Sequence, residues 1–336
     1  MACAVLFVPS RARAQSAQLA GPLATLERQL HAAAQHGPGK VGIAVEDLAT
    51  GETLGINAQA AMPAASTIKI PVMVEVFRQL VAGTLDLSRR VHLEDRDRDF
   101  GWGRLAYAPD GTAVSVRGLL HAMIDHSDNT ASNMLIRLVG RRNINRTMAQ
   151  LGLHQTRLLS DVRTDTSAVR YDLRSSPHDM LALLDGIARG RLLDPWASRA
   201  MLAILAGQQI NDLLPESLPR HVEIAHKTGS LHDTLDDVGI VFGDREPYVI
   251  AVMTTRLSDL EVGRTFIRRI SKIAYAEIVR LGAMRREAGD TPFSVLHPPP
   301  QLAIETPDEA MWESHAEAPA LLHPLDAVQD RFPTTR

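Results

Sequence analysis

Residues 222–254 read VEIAHKTGSLHDTLDDVGIVFGDREPYVIAVMT. Three runs in this stretch, Val222–Thr228, Val238–Phe242 and Tyr248–Thr254, are rich in β-branched and aromatic residues and are broken by Gly and Asp, which marks them as strands. Val41 to Asn57 alternates in the same way around a turn at Ala49-Thr50-Gly51-Glu52 and reads as a β-hairpin. Helical spacing occupies the chain between the two strand groups, at about 66–82, 116–125, 131–139, 142–151, 177–188 and 195–206. Two further helices flank the whole, at 22–35 and 259–281. This order predicts an α/β (α+β) fold: a five-stranded antiparallel sheet flanked by terminal helices, with an all-helical part inserted between its strands. The cleft between sheet and inserted helices is the expected site.

The chain has 336 residues and a mass of 36.7 kDa, which fits one large domain with extensions. Its net charge of −3 argues against nucleic-acid binding. No run of 18 apolar residues occurs, so no spanning helix is expected. Cys3 is the only cysteine, which rules out a disulfide framework and a cysteine zinc site. The histidines form no His-x-His or His-Glu-x-x-His arrangement, so neither a metal nor another cofactor is expected. There is also no Gly-x-Ser-x-Gly elbow.

Lysine and arginine together number 36, yet lysine stands at only four positions: Lys40, Lys69, Lys227 and Lys272. Arginine keeps its proton in proteins, whereas a buried lysine can give it up. Each lysine is therefore a candidate for chemistry.

The ends differ from the middle. Residues 1–18 hold a short apolar run, Ala2 to Val8, followed by Ala12-Arg13-Ala14, a small-x-small pattern like that of an export signal. Residues 289–336 are expected to be a disordered tail, since 291–336 hold 8 of the 19 prolines and seven acids against two arginines. Between them, 19–288 form the expected folded unit. Residues 22–60 and 215–282 make its α/β part, and 61–214 its helical part.

Three triplets carry candidate chemistry. Ser66-Thr67-Ile68-Lys69 opens an apolar helix, and the i, i+3 spacing puts Ser66 and Lys69 on one face as a nucleophile and base. Ser127-Asp128-Asn129 links two helical stretches. If extended, it turns Ser127 and Asn129 the same way, one to pass a proton and the other to hold a substrate amide. Lys227-Thr228-Gly229 ends a strand, offering a cation, a hydroxyl and a glycine that permits close approach. Taken singly, each triplet also reads as a local feature: a capping serine with a surface lysine, a helix cap, and a strand-end turn.

Their joint order resembles the signature set of class A β-lactamases and penicillin-recognising serine hydrolases. The resemblance covers roughly residues 22–282 and includes Pro63-Ala-Ala-Ser66-Thr-Ile-Lys69-Ile-Pro71, Ser127-Asp-Asn-Thr-Ala-Ser-Asn133 and His226-Lys227-Thr-Gly-Ser230. It implies an exported, periplasmic or secreted bacterial hydrolase that works through an acyl-serine without metal. Carried over by match, Ser66 is the nucleophile, Lys69 its base and Ser127 the proton relay. Asn129 positions the acyl side chain, and Lys227 and Thr228 hold the substrate carboxylate. Gly229 lets the substrate backbone close on the strand, and the N–H groups of Ser66 and Ser230 form the oxyanion hole. Trp102 or Tyr107 resembles an aromatic residue at the cleft mouth.

Two departures stand out. The stretch expected to carry a Glu-x-x-Leu-Asn motif reads Thr156-Arg-Leu-Leu-Ser-Asp-Val-Arg-Thr-Asp-Thr-Ser167 and has no glutamate, which leaves Asp161 and Asp165 as carboxylates for activating water. No arginine near Lys-Thr-Gly aligns as a partner for the substrate carboxylate. The expected activity is therefore hydrolysis of a β-lactam amide with slow deacylation. A D-Ala-D-Ala peptidase or esterase, or a penicillin sensor without turnover, are the alternatives. The expected partner is a small β-lactam or D-Ala-D-Ala-like molecule, bound by a monomer.

Overall fold

A computed structural model describes residues 23–164, 172–243, 246–289 and 295. Residues 1–18, expected to be an export segment, Asp165, and all of the expected tail but Gly289 and Val295 lie outside these residues. Val295 is buried in the core that the sheet shares with the helical part.

The chain begins with α1 (Ala24–Gln35), then β1 (Lys40–Asp47) and β2 (Glu52–Ile56). It leaves the sheet through β3 (Met62–Pro63) and a 3-10 turn at Ala65–Ile68, which feeds α2 (Lys69–Val81). The helical part continues through the hairpin β4 (Arg90–His92) and β5 (Ala113–Ser115), then α3 (Val116–Asp125), α4 (Asn129–Val139) and α5 (Arg141–Gln150). After β6 (Arg157–Leu158) and β7 (Leu173–Ser175) come α6 (Pro177–Ala188) and α7 (Pro195–Ala206). The chain then returns to the sheet as β8 (Glu223–Leu231), β9 (Thr234–Gly243) and β10 (Glu246–Thr255), and closes with α8 (Leu260–Glu287).

The main sheet is antiparallel with order β2-β1-β10-β9-β8. Its first and last segments are joined by β1 against β10, with Ala44 opposite Ala251. Both faces are covered, and the two-residue period of the strands divides their side chains between two cores. Ile43 and Val45 of β1, with Tyr248, Ile250 and Val252 of β10, pack against Leu26 and Leu30 of α1 and Ile267, Ile270 and Ile278 of α8. Ala44, Val249, Ala251 and Met253 face the other core, built from α2, α3, α4, α6 and α7. Covering on both faces explains why β9 and β10 are buried along their whole length.

Helix α2 is buried continuously from Lys69 to Phe77, the pattern of a helix enclosed on all sides. Ser66 does not itself stand in an α-helix. It lies in the 3-10 turn, which begins at Ala65 in a left-handed backbone conformation (φ 42°). The Ser127 link also differs from the extended expectation. Ser127 has φ 58°, Asp128 is the N-cap of α4, and Asn129 is already helical. Strand β9 starts at Thr234 rather than Val238, because the buried Asp236 and Asp237 interrupt the apolar pattern without interrupting the ladder. The pairs β4–β5 and β6–β7 contain two or three residues per strand, too few to leave a periodic signal.

The α8 side of the sheet supplies a direct test of this packing. Ile267 is fully buried and Val262 is 46% exposed on the same helix. Ile267→Ala should lower unfolding free energy by about 2–5 kcal/mol, whereas Val262→Ala should stay within about 0.5 kcal/mol, as read from urea midpoints.

Candidate active site

Three elements bring the triplets together. The 3-10 turn presents Ser66, the α3–α4 link presents Ser127, and β8 presents Lys227 to Ser230. Ser66, Ser127, Thr228, Gly229 and Ser230 line one cleft. Gly229 allows the strand to lie against the turn. A Cβ there would stand 3.0–3.1 Å from Ala65 Cβ, Ala64 O and Ser66 N, tighter than ordinary contact.

Both lysines are fully buried. Lys69 Nζ donates to Ser127 O, to Ser127 Oγ at 3.1 Å and to Asn129 Oδ1 at 2.8 Å. Lys227 Nζ donates to the same Ser127 Oγ at 3.1 Å and to Thr228 O at 3.1 Å. One hydroxyl therefore joins two amines from different elements.

Burial pushes the Lys69 amine well below its usual range, and the neighbouring Lys227 adds to this, while Asp128 and Asp99 oppose it. Burial also lowers Lys227, to about 7, against the opposing charges of Asp237 and Asp125. Lys69 is thus easier to deprotonate than an exposed lysine, and Lys227 is divided between its two states near pH 7.

Asp128 organises the link. Its Oδ1 accepts from Ala131 N at 2.8 Å, capping α4, and its Oδ2 accepts from Arg104 N at 2.8 Å and Leu105 N at 2.9 Å. Burial raises its carboxyl above the usual value against these bonds. Gly103 (φ 100°) makes room for it, since a Cβ would fall 2.2 Å from Asp128 Oδ2.

The remaining expected residues are placed as follows. Trp102 lines the cleft, and its Nε1 donates to His126 O at 3.0 Å. Tyr107 is half exposed and packs edge-on against Phe100, with ring centroids 5.5 Å apart. Asp161 is 42% exposed at its side chain, faces Arg141 at 3.6 Å and Arg163 at 4.0 Å, and does not line the cleft. Among the described residues no glutamate lines the cleft.

Sequence reasoning missed two groups. Residues 209–213 form one wall, pinned from the far face of the sheet. His226 Nδ1 lies 2.9 Å from Asp237 Oδ1 and its Nε2 lies 3.0 Å from Asn211 Oδ1, while Leu214 N donates to Asp237 Oδ2 at 2.9 Å. The second group is Arg264, which reaches the cleft from α8. It pairs with Asp212 and, through Nε, with Glu261 at 2.9 Å. Its signal was present: Arg264 shares the helical stripe of Leu260, Ile267 and Ile270, a core-facing position where an idle arginine is rare. Among the described residues no cluster of His, Cys, Asp or Glu could hold a metal ion. Likewise no described helix is long and apolar enough to cross a membrane.

The comparisons agree with this fold. The model for the beta-lactamase enzyme family matches residues 25–278. A beta-lactamase of Streptomyces fradiae is 28% identical over 286 residues, covering 78% of this chain and 91% of that one. The crystal structure of a beta-lactamase from Sphaerobacter thermophilus superposes with a TM-score of 0.70 at 32% identity, over 74% of this chain and 95% of that one. PBP-A superposes with a TM-score of 0.72 at 28% identity, over 77% and 97% of the two chains, and a mutant of it is described as an acyl-enzyme complex with penicillin-G. The chain belongs to the beta-lactamase enzyme family. Within that family it is a serine hydrolase acting on β-lactam amides.

Asp128→Ala should lower unfolding free energy by at least about 2 kcal/mol, because it removes a helix cap and leaves two further N–H donors without their acceptor. Chemical denaturation of the purified variant measures this.

Proposed function

We propose that Ser66 attacks the β-lactam carbonyl with neutral Lys69 taking its proton, and that the resulting acyl-enzyme is hydrolysed slowly. The observation that carries this is the convergence of two fully buried lysines on Ser127 Oγ. Such an amine, desolvated and beside another, is a competent base. Ser127, bridging both amines, is placed to return a proton to the nitrogen released on ring opening. Ser66 and Ser230 border the cleft where an oxyanion would form between their N–H groups.

The substrate carboxylate is held by Thr228 in the cleft wall and by Lys227, buried behind it, with Arg264 as a further cation lining the cleft. Support for slow deacylation comes from the carboxylates among the described residues, which do not include Asp165. Asp161 is turned to arginines, and Asp99, buried beside the site, already accepts four hydrogen bonds. Removing an aligned general base slows such a step by roughly 10²–10⁴-fold. The same observation favours, as the limiting second reading, a protein that keeps its penicilloyl group and functions by binding.

Brief exposure to benzylpenicillin should give a covalent adduct by intact mass, absent in Ser66→Ala. Complete turnover without a detectable adduct would overturn slow deacylation. Acylation should rise with pH through the depressed Lys69 ionisation and level off far below pH 10. Apparent affinity should weaken above about pH 7, where Lys227 loses its charge. Stopped-flow measurement across pH 4–9 resolves the two limbs.

Arg264→Ala should raise KM for carboxylate-bearing β-lactams by about tenfold or more, with kcat little changed, the effect of losing one charge-assisted hydrogen bond. Steady-state kinetics of the variant measure it.

A further inference from the structure

Arg264 is the cation that α8 sends to the cleft, and its guanidinium does not arrive free. Its side chain is 8% exposed, and a charge so placed needs partners. Nη1 donates to Asp212 Oδ2, and Nε donates to Glu261 Oε2 at 2.9 Å. No hydrogen bond to a described residue engages Nη2. Asp212 lines the same cleft, with its side chain 33% exposed. Among the described residues that line the cleft, these two alone are charged. A carboxylate therefore stands in the wall beside the cation that would receive the carboxylate of a substrate. The wall is fixed in place. Arg268 Nε donates to Asp212 O at 2.9 Å, and His226 Nε2 lies 3.0 Å from Asn211 Oδ1. Leu214 N donates to Asp237 Oδ2 at 2.9 Å, and Ser271 Oγ donates to Leu214 O at 2.7 Å. Held at Asn211, Asp212 and Leu214, the main chain cannot carry the Asp212 carboxylate away from Arg264 without breaking these bonds.

We propose that Asp212 is a specificity-determining residue: by holding Arg264 and offsetting its charge inside the cleft, it weakens the grip on the free carboxylate of a β-lactam relative to the same β-lactam with that carboxylate esterified. The substrate anion and the Asp212 carboxylate share one guanidinium, the first through Nη2 and the second through Nη1. Sharing lets a substrate bind without displacing the ion pair, against repulsion between two anions on one cation. The charged lining of the cleft then sums to zero, and Lys227, buried behind it, is the remaining cation. This inference rests on the Ser66 acylation reading.

The test compares second-order acylation rate constants for benzylpenicillin and its methyl ester, read by intact mass. Asp212→Asn keeps an oxygen acceptor for Nη1 and removes the charge. It should speed acylation by the free acid roughly threefold to tenfold, the scale of one partly screened charge, and leave the ester within about twofold. The gain should shrink between about 0.01 M and 1 M salt, as the Debye length falls from about 30 Å to about 3 Å. Arg264→Ala should cost the free acid more in the Asp212→Asn background than in the wild type, because the guanidinium is then unshielded. Asp212→Ser serves as a second variant should Asp212→Asn not fold, and it should raise the acid-to-ester ratio in the same direction. A ratio unchanged or lowered in a folded variant would overturn the inference, as would a gain shared equally by acid and ester. Absence of any adduct on the wild-type chain with either compound would strike the Ser66 reading itself, and this inference with it.

Discussion

Two amines share one buried hydroxyl, and the surrounding structure is arranged to make that tolerable. A lone ammonium in a low-dielectric interior is expensive, and two near each other are worse. The fold answers with partial neutralisation rather than ion pairing. Asp128 and Asp99 act on Lys69, and Asp125 and Asp237 on Lys227, yet none of the four forms a direct salt bridge with either lysine. Their attraction moderates the effect of burial without cancelling it, so the amines remain easy to deprotonate. A closer carboxylate would favour the charged form of Lys69 and oppose the effect of burial.

Two of the four non-glycine residues with positive φ among the described residues stand at the site. Ala65 and Ser127 adopt left-handed conformations immediately before Ser66 and at the bridging hydroxyl itself. Such conformations cost about 1–3 kcal/mol each and persist only where the surroundings enforce them. Here the enforcement is visible: Ala64 N is tied to Leu173 O, Thr67 Oγ1 to Ala64 O, and Asp128 N to Ala122 O. Sheet and helices meet at the cleft where β8 lies against the 3-10 turn, and neither part completes the site alone.

The cleft walls are held from outside the cleft. Asn211 and Leu214 are fixed through His226 and Asp237 on the face of the sheet turned toward α8, and Asp212 through Arg264. The second core therefore has a role beyond stability: α8 supports the wall and supplies a cation to it.

Much of this was legible in the sequence. The strand runs at 222–254 and the hairpin at 41–57 were readable because two-residue alternation is a local property, and the helices because apolar spacing is as well. The scarcity of lysine singled out Lys69 and Lys227 before any contact was known. Asp128 announced itself as a cap by standing just before an apolar helix. What the sequence could not show is which polar groups meet. Asp99 lies 30 residues from Asn129 and Thr164 lies 35 on its other side, and neither shares a period or motif with it. Arg264 arrives from a helix that looks like packing. Partner choice among side chains depends on where distant elements cross, and only the tertiary structure decides that. Element identity depends on neighbours along the chain, and the sequence determined it by itself.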